Sequence, residues 1–192
     1  STVHVTLPPG SRPDYRLLIR LRAYNIHTGE SGYAEQNITV RPMMDLNQLS
    51  DDLDNAIEKG DYVDIMAIAS QVSTISLQGL EHSSFEHLMN IVSRVVNYTS
   101  TITVTDAVDV EQQMYVIEKV TKNSSAISEE TKRISLDIIH DIIERDQSEL
   151  DKGLISNDAI QNIVNIISNT ADGGYNDTSI SEKTIEVSQK LS

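Results

Sequence analysis

"LNQLSDDLDNAIEKGDYVDIMAIASQVSTI", residues 46–75, is where the periodicity of this chain turns helical. Leu46, Leu49, Leu53, Ala56 and Ile57 recur at the three- and four-residue spacing that lines up one stripe of an α-helix. Gly60 supplies a residue that tolerates the left-handed conformation closing a helix, and Asp61 directly after it has the short acceptor that caps the next one. A second apolar line runs through Val63, Met66, Ala69, Val72 and Ile75. So short a break between two helices favours antiparallel neighbours.

The same grammar continues downstream. A third helix opens on the box Ser83-x-x-Glu86 and carries Phe85, Leu88, Met89, Val92, Val95 and Val96. A fourth starts at Thr105 or Asp106, with Val108, Met114, Ile117 and Val120 inward. Ser128 caps a fifth, which has Glu129 and Glu130 where they suit the helix dipole and Ile134, Ile138, Ile139 and Ile142 on its apolar line. The sixth, "SNDAIQNIVNIISNT" (156–170), carries Ile160, Ile163, Val164 and Ile167, and "SISEKTIEVSQKLS" (179–192) begins a candidate seventh. The expected core is Leu49, Leu53, Met66, Val72, Phe85, Leu88, Val92, Ile117, Ile138, Ile142, Ile163 and Ile167. No repeat at a fixed period argues for a solenoid.

Upstream the period is two. In "YRLLIRLRAY", Tyr15, Leu17, Ile19, Leu21 and Ala23 share one face and Arg16, Arg20 and Arg22 the other, with Leu18 breaking the polar side. Turn residues in "NIHTGESG" follow, and "YAEQNITVRP" resumes the alternation with Ala34, Ile38 and Val40 inward before Pro42 ends the strand. An isolated hairpin is marginal in water, even with "VHVTL" as a candidate third strand, so these strands are expected to belong to a larger sandwich in a longer protein. The fold class expected is mainly α: an antiparallel bundle of about six helices (43–192) preceded by a β-hairpin from an immunoglobulin- or fibronectin-like sandwich (1–42).

Charge marks the same boundary. Residues 1–42 hold five arginines against three carboxylates, +2, whereas the remaining 150 residues carry ten basic and 26 acidic groups, −16. With a formal charge of −14, one Phe and no Trp among 192 residues, neither a phosphate-tracking groove nor an aromatic stacking platform is expected, so nucleic acid is not an expected partner. No run approaches the roughly 18 apolar residues that span a bilayer, and no basic start precedes an apolar signal core. The absence of cysteine excludes disulfides and thiolate metal sites without fixing a compartment.

Catalytic motifs are missing. His82 and His87 lie five apart, on different helical faces, without the i, i+4 partner of a helical zinc site; His4, His27 and His140 have no cluster. An EF-hand frame started at Asp54 puts Ala56 at a ligand position and Gly60 seventh instead of sixth. There is no G-x-S-x-G, Walker loop, dinucleotide fingerprint or H-E-x-x-H. The chain is not expected to be an enzyme or to hold a cofactor or resident metal. Weak calcium binding by the acidic surface between modules stays open.

Four N-x-[ST] sequons stand out: Asn37-Ile38-Thr39, Asn97-Tyr98-Thr99, Asn123-Ser124-Ser125 and Asn176-Asp177-Thr178. Three fall at or just beyond expected helix ends and Asn37 lies on the outward face of its strand, so a sugar at each is expected to leave the core intact. Loops are also built from Asn, Ser and Thr, which is the plain alternative.

Two punctuation motifs carry a family resemblance. One is the Gly60-Asp61 break followed by a helix rich in Ala and Ser (Ala67, Ala69, Ser70). The other is Ile117-Glu118-Lys119-Val120-Thr121, then a loop, then Ala126-Ile127-Ser128-Glu129-Glu130. Together with the preceding "ITVRP" strand, the chain from about residue 15 to 170 resembles the polycystin-1 and receptor-for-egg-jelly family. There, the last strand of the egg-jelly-receptor module runs into the helical subdomain before the autoproteolysis-inducing fold. The resemblance implies a non-catalytic structural or adhesion module of a large membrane receptor on the extracellular face of a ciliary or flagellar membrane. It also implies protein partners, such as a polycystin-2-like channel or extracellular filament or matrix proteins, with membrane contact only through segments outside this sequence. The chain departs from animal members in lacking cysteine, tryptophan and the cleavage motif; His87-Leu88 is followed by Met89 inside a helix. An intracellular acidic helical adaptor that takes a partner helix in a groove is the alternative.

Overall fold

A computed structural model describes residues 16–24, 31–40, 45–75, 77, 80–148, 155–171, 182, 184 and 185. Two antiparallel strands, β1 (Arg16–Tyr24) and β2 (Ser31–Thr39), precede six helices: α1 (Leu46–Lys59), α2 (Tyr62–Thr74), α3 (His82–Ser100), α4 (Ala107–Thr121), α5 (Glu129–Ser148) and α6 (Asn157–Ala171). This is the hairpin and six-helix bundle that the periodicities predict. "VHVTL", Pro42 and most of the candidate seventh helix lie outside the described residues; Glu182, Thr184 and Ile185 of the last are helical.

The helix boundaries have local causes. Asp45 opens α1 by accepting from the amides of Asn47 (3.0 Å) and Gln48 (3.3 Å). Gly60 closes it at φ 66°, and its N–H and that of Asp61 satisfy Ile57 and Ala56 carbonyls. Asp61 then caps α2 through the Asp64 amide (3.2 Å). Asp106 caps α4 through Val108 and Asp109. Ser128 Oγ accepts from the Thr131 amide at 3.1 Å, and Ser156 Oγ does the same for Ala159 at the start of α6. The expected box at Ser83 does not form: α3 begins at His82, and its cap position, Glu81, makes no side-chain hydrogen bond.

Helix α4 is the centre of the bundle, packing against α2, α3, α5 and α6, while α1 covers α2 and α3. The core is contiguous; Leu49, Ile65, Leu88, Ile91, Met114, Ile117, Ile139, Ile163 and Ile166 are fully buried within it. Nine of the twelve expected core residues are buried; Met66, Phe85 and Ile167 pack partly buried against the rest. The expected lines hold along α2 and α4 except at their first residues, with Ala69, Val72, Ile75, Met114, Ile117 and Val120 buried and Met66 partly so, whereas in α6 Ile163 is buried and Ile167 partly buried. Val63, Val108, Ile160 and Val164 are exposed, and Ile65, Ile68, Val116 and Ile166 join the interior. Each of these helices has an apolar arc wider than one neighbour can cover, so packing, not pattern, selects which part is buried.

The hairpin is different. Its register pairs Leu17 with Ile38 and Arg20 with Glu35, which confirms the expected faces. Leu17, Ile19, Ile38 and Val40 are only half-buried, and Ala34, expected inward, is exposed. No described hairpin residue belongs to the bundle core. Arg20 is ion-paired with Glu35 and lies 5.9 Å from the Tyr33 ring centroid on the polar face.

Candidate functional site

Several polar side chains inside the bundle join one helix to another, while others, such as Thr121, Ser135 and Thr170, bond back to carbonyls of their own helix. Thr99, fully buried near the end of α3, donates from Oγ1 to the Val95 carbonyl (2.7 Å), and its own carbonyl accepts from Gln113 Nε2 of α4 (2.8 Å). The Tyr62 hydroxyl lies beside Thr99; burial pushes its ionisation well above the ordinary tyrosine range, so it stays neutral. Ser93, Thr131 and Ser128 form a hydroxyl chain with 2.8 Å steps linking α3 to the start of α5. Ser70 meets Tyr115 at 2.8 Å between α2 and α4, and Asn169 donates to Thr121 between α6 and α4. On the surface, Arg94 of α3 reaches Ser50 (2.8 Å) and the Asp54 carboxylate of α1. None of these ties was foreseen, because a hydroxyl or amide in an apolar helix carries no sign of which helix it will face.

Among the described residues, two open depressions can be compared. One, about 510 Å³, is lined by Asp45, Leu46, Ile75, Ser83, Ser84 and His87. Asp45 is occupied in capping α1, and His87 makes no hydrogen bond to either serine among the described residues. The other, about 430 Å³, lies between α2, α4 and α6 and is lined by Met66, Val108, Glu111, Tyr115, Asp158 and Gln161. Among the described residues no group of three or more His, Asp or Glu side chains is placed to hold a metal ion, and no helix is long and apolar enough to cross a membrane.

The four sequon asparagines have unlike settings. Asn37 is exposed on β2 opposite Leu18, and Thr39, two residues on, is exposed as well. Asn97 is exposed in the last turn of α3, but its Thr99 is the buried threonine just described. Asn123 is half-buried in the link between α4 and the short 3-10 turn Ser124–Ala126, and its Nδ2 points at the carbonyls closing α2, 3.4 Å from Ile75 and 3.5 Å from Val72. A sugar on Asn123 Nδ2 would stand where the end of α2 now lies, a conflict that the sequence does not reveal. Asn176 lies outside the described residues.

Compared with family models, with curated proteins and with solved structures, the chain matches none.

Proposed function

We propose that this chain is a non-catalytic structural module from the extracellular part of a polycystin-1-like membrane receptor, on a ciliary or flagellar surface, where it transmits ligand-induced or mechanical input to protein partners. The observation carrying the structural half of this reading is the use made of the interior polar groups. Thr99, Gln113, Ser93, Thr131, Ser70 and Tyr115 tie one helix to another, an arrangement suited to keeping a bundle's shape under load. The receptor half rests on the resemblance carried by the helix punctuation, and on the exposure of Asn37 and Asn97. The partners that fit such a receptor are a polycystin-2-like channel or extracellular filament and matrix proteins.

The competing reading, an intracellular acidic adaptor, has one observation in its favour. The depression between α2, α4 and α6 has Met66 and the exposed Val108 beside Glu111 and Asp158, a surface suited to a basic amphipathic segment. Intact-glycopeptide mass spectrometry on the native protein separates the two. Glycans at Asn37 and Asn97 are the expected result; unmodified asparagines at full coverage remove the extracellular reading and leave the adaptor.

A further inference from the structure

We propose that the two exposed acceptors differ in when they can be used: Asn37 accepts a glycan in the folded chain, whereas Asn97 accepts one only before α3 forms. This rests on the extracellular reading, but its physical basis is the difference between helical and strand periodicity. A sequon is defined by its hydroxyl at the third position, so the transferase must reach that group together with the asparagine. In a strand, residues two apart project from the same face. Asn37 and Thr39 accordingly stand together on the outward face of β2, and both are exposed. In a helix, residues two apart lie about 200° around the axis from each other and do not share a face. Asn97 therefore faces solvent while Thr99 faces the core, 0% exposed, with its hydroxyl held to the Val95 carbonyl at 2.7 Å and its carbonyl held by Gln113.

The chemistry itself is the same at both sites. The asparagine Nδ2 bonds to the anomeric carbon of a lipid-pyrophosphate-linked oligosaccharide, the bond from that carbon to the pyrophosphate oxygen breaks, the lipid pyrophosphate leaves with the electron pair, and Nδ2 gives up one proton. What differs is access. At Asn97 the transferase must wait until the last turns of α3 unwind and release Thr99 from the core, an opening opposed by Leu88, Val92, Val95 and Val96 on the same helix, all buried. Glycan occupancy at Asn97 therefore reports whether transfer ran ahead of bundle folding, and occupancy at Asn37 does not.

The test uses the full chain produced without glycans, purified and folded, and synthetic peptides of residues 33–43 and 93–103 as unstructured references. Each is incubated with an oligosaccharyltransferase and a lipid-pyrophosphate oligosaccharide, and transfer at each asparagine is followed by glycopeptide mass spectrometry. Asn37 should be modified in the folded chain at close to its peptide's rate, and Asn97 more than about tenfold slower than its peptide, because its reaction waits on local opening. Leu88→Ala, which loosens the bundle, should raise the Asn97 rate and leave Asn37 unchanged. Transfer to Asn97 in the folded chain at the peptide's rate overturns the proposal, as does protection of Asn37 or refusal of both peptides. The assay reads access in the purified chain, so its failure is distinct from finding bare asparagines in the native protein, which would count against the extracellular reading alone.

Discussion

Ile19 of β1 and Ile139 of α5 are the same side chain in opposite circumstances. Ile139 is fully buried in a core fed by every helix, whereas Ile19 is half-buried on a two-stranded sheet with no residue in that core among the described ones. A helical bundle can close on itself because each helix covers its neighbour's stripe; a hairpin has one apolar face and nothing of its own to put over it. The bundle therefore has what it needs to fold by itself, while the apolar residues of the hairpin gain little until something else covers them.

The largest effect expected from this contrast is at the core. Ile139→Ala should lower the unfolding free energy by about 2–5 kcal/mol, the usual cost of a large-to-small change at a fully buried site, measured by urea denaturation. Ile19→Ala should cost less than about 1 kcal/mol, since much of that side chain is already in water. Comparable losses at the two positions would break the comparison and mean that the hairpin is packed as tightly as the bundle.

The punctuation of the bundle was legible in the sequence wherever one residue type acts over a short range. Gly60 as a stop and Asp61, Asp106 and Ser128 as caps all serve backbone groups within four residues of themselves. The edges of the buried arcs of α2, α4 and α6 were not legible, because Val63, Val108, Ile160 and Val164 are as apolar as the residues buried beside them, and only the position of the neighbouring helices separates them. The acceptor sites were legible as motifs and illegible as surroundings. Asn123 reads like Asn37 in one dimension, and differs from it because α2 ends 3.4 Å away.

Next in size is Gly60. Its φ of 66° belongs to the left-handed region, and a Cβ built there meets nothing closer than the Tyr98 hydroxyl at 4.0 Å. Gly60→Ala should therefore cost only the conformational penalty, about 1–2 kcal/mol, without any clash. A thermal melt that shows a much larger loss would place a hidden steric role at the α1–α2 junction. The hairpin has no counterpart, since Gly32 of β2 has open space around it and an ordinary backbone angle, so Gly32→Ala should leave the melt almost unmoved.

Asn123→Ala should follow, at about 0.5–1 kcal/mol, because its two bonds to the end of α2 are long and the carbonyls they serve are left beside a half-exposed link. Asn37→Ala, on the open face of β2, should have no measurable effect on the urea midpoint. Equal effects at the two asparagines would show that Nδ2 of Asn123 does not hold α2, and would remove the structural objection to a sugar there.

The smallest effect expected is the one with a pH signature. Asp109, in the first turn of α4, accepts from the Thr105 hydroxyl (2.6 Å) and the Thr105 amide (2.8 Å), and these bonds hold its carboxyl below the ordinary aspartate value of 3.8. A carboxylate favoured in the folded state stabilises the fold at every pH above its unfolded value, and that contribution fades as the pH falls through the depressed folded value. Asp109→Asn should accordingly cost about 0.5 kcal/mol at neutral pH, after allowing for solvent screening at a site so near the surface, and the gap from the parent chain should close in acid. Following the two unfolding curves from pH 7 downward checks the sign: a gap that widens in acid would mean that Asp109 is more strongly bound as the neutral acid. Hairpin amides monitored in the same titration should not respond to the substitution, because no helix side chain among these capping groups touches β1 or β2. A response there would reveal coupling between the hairpin and α4.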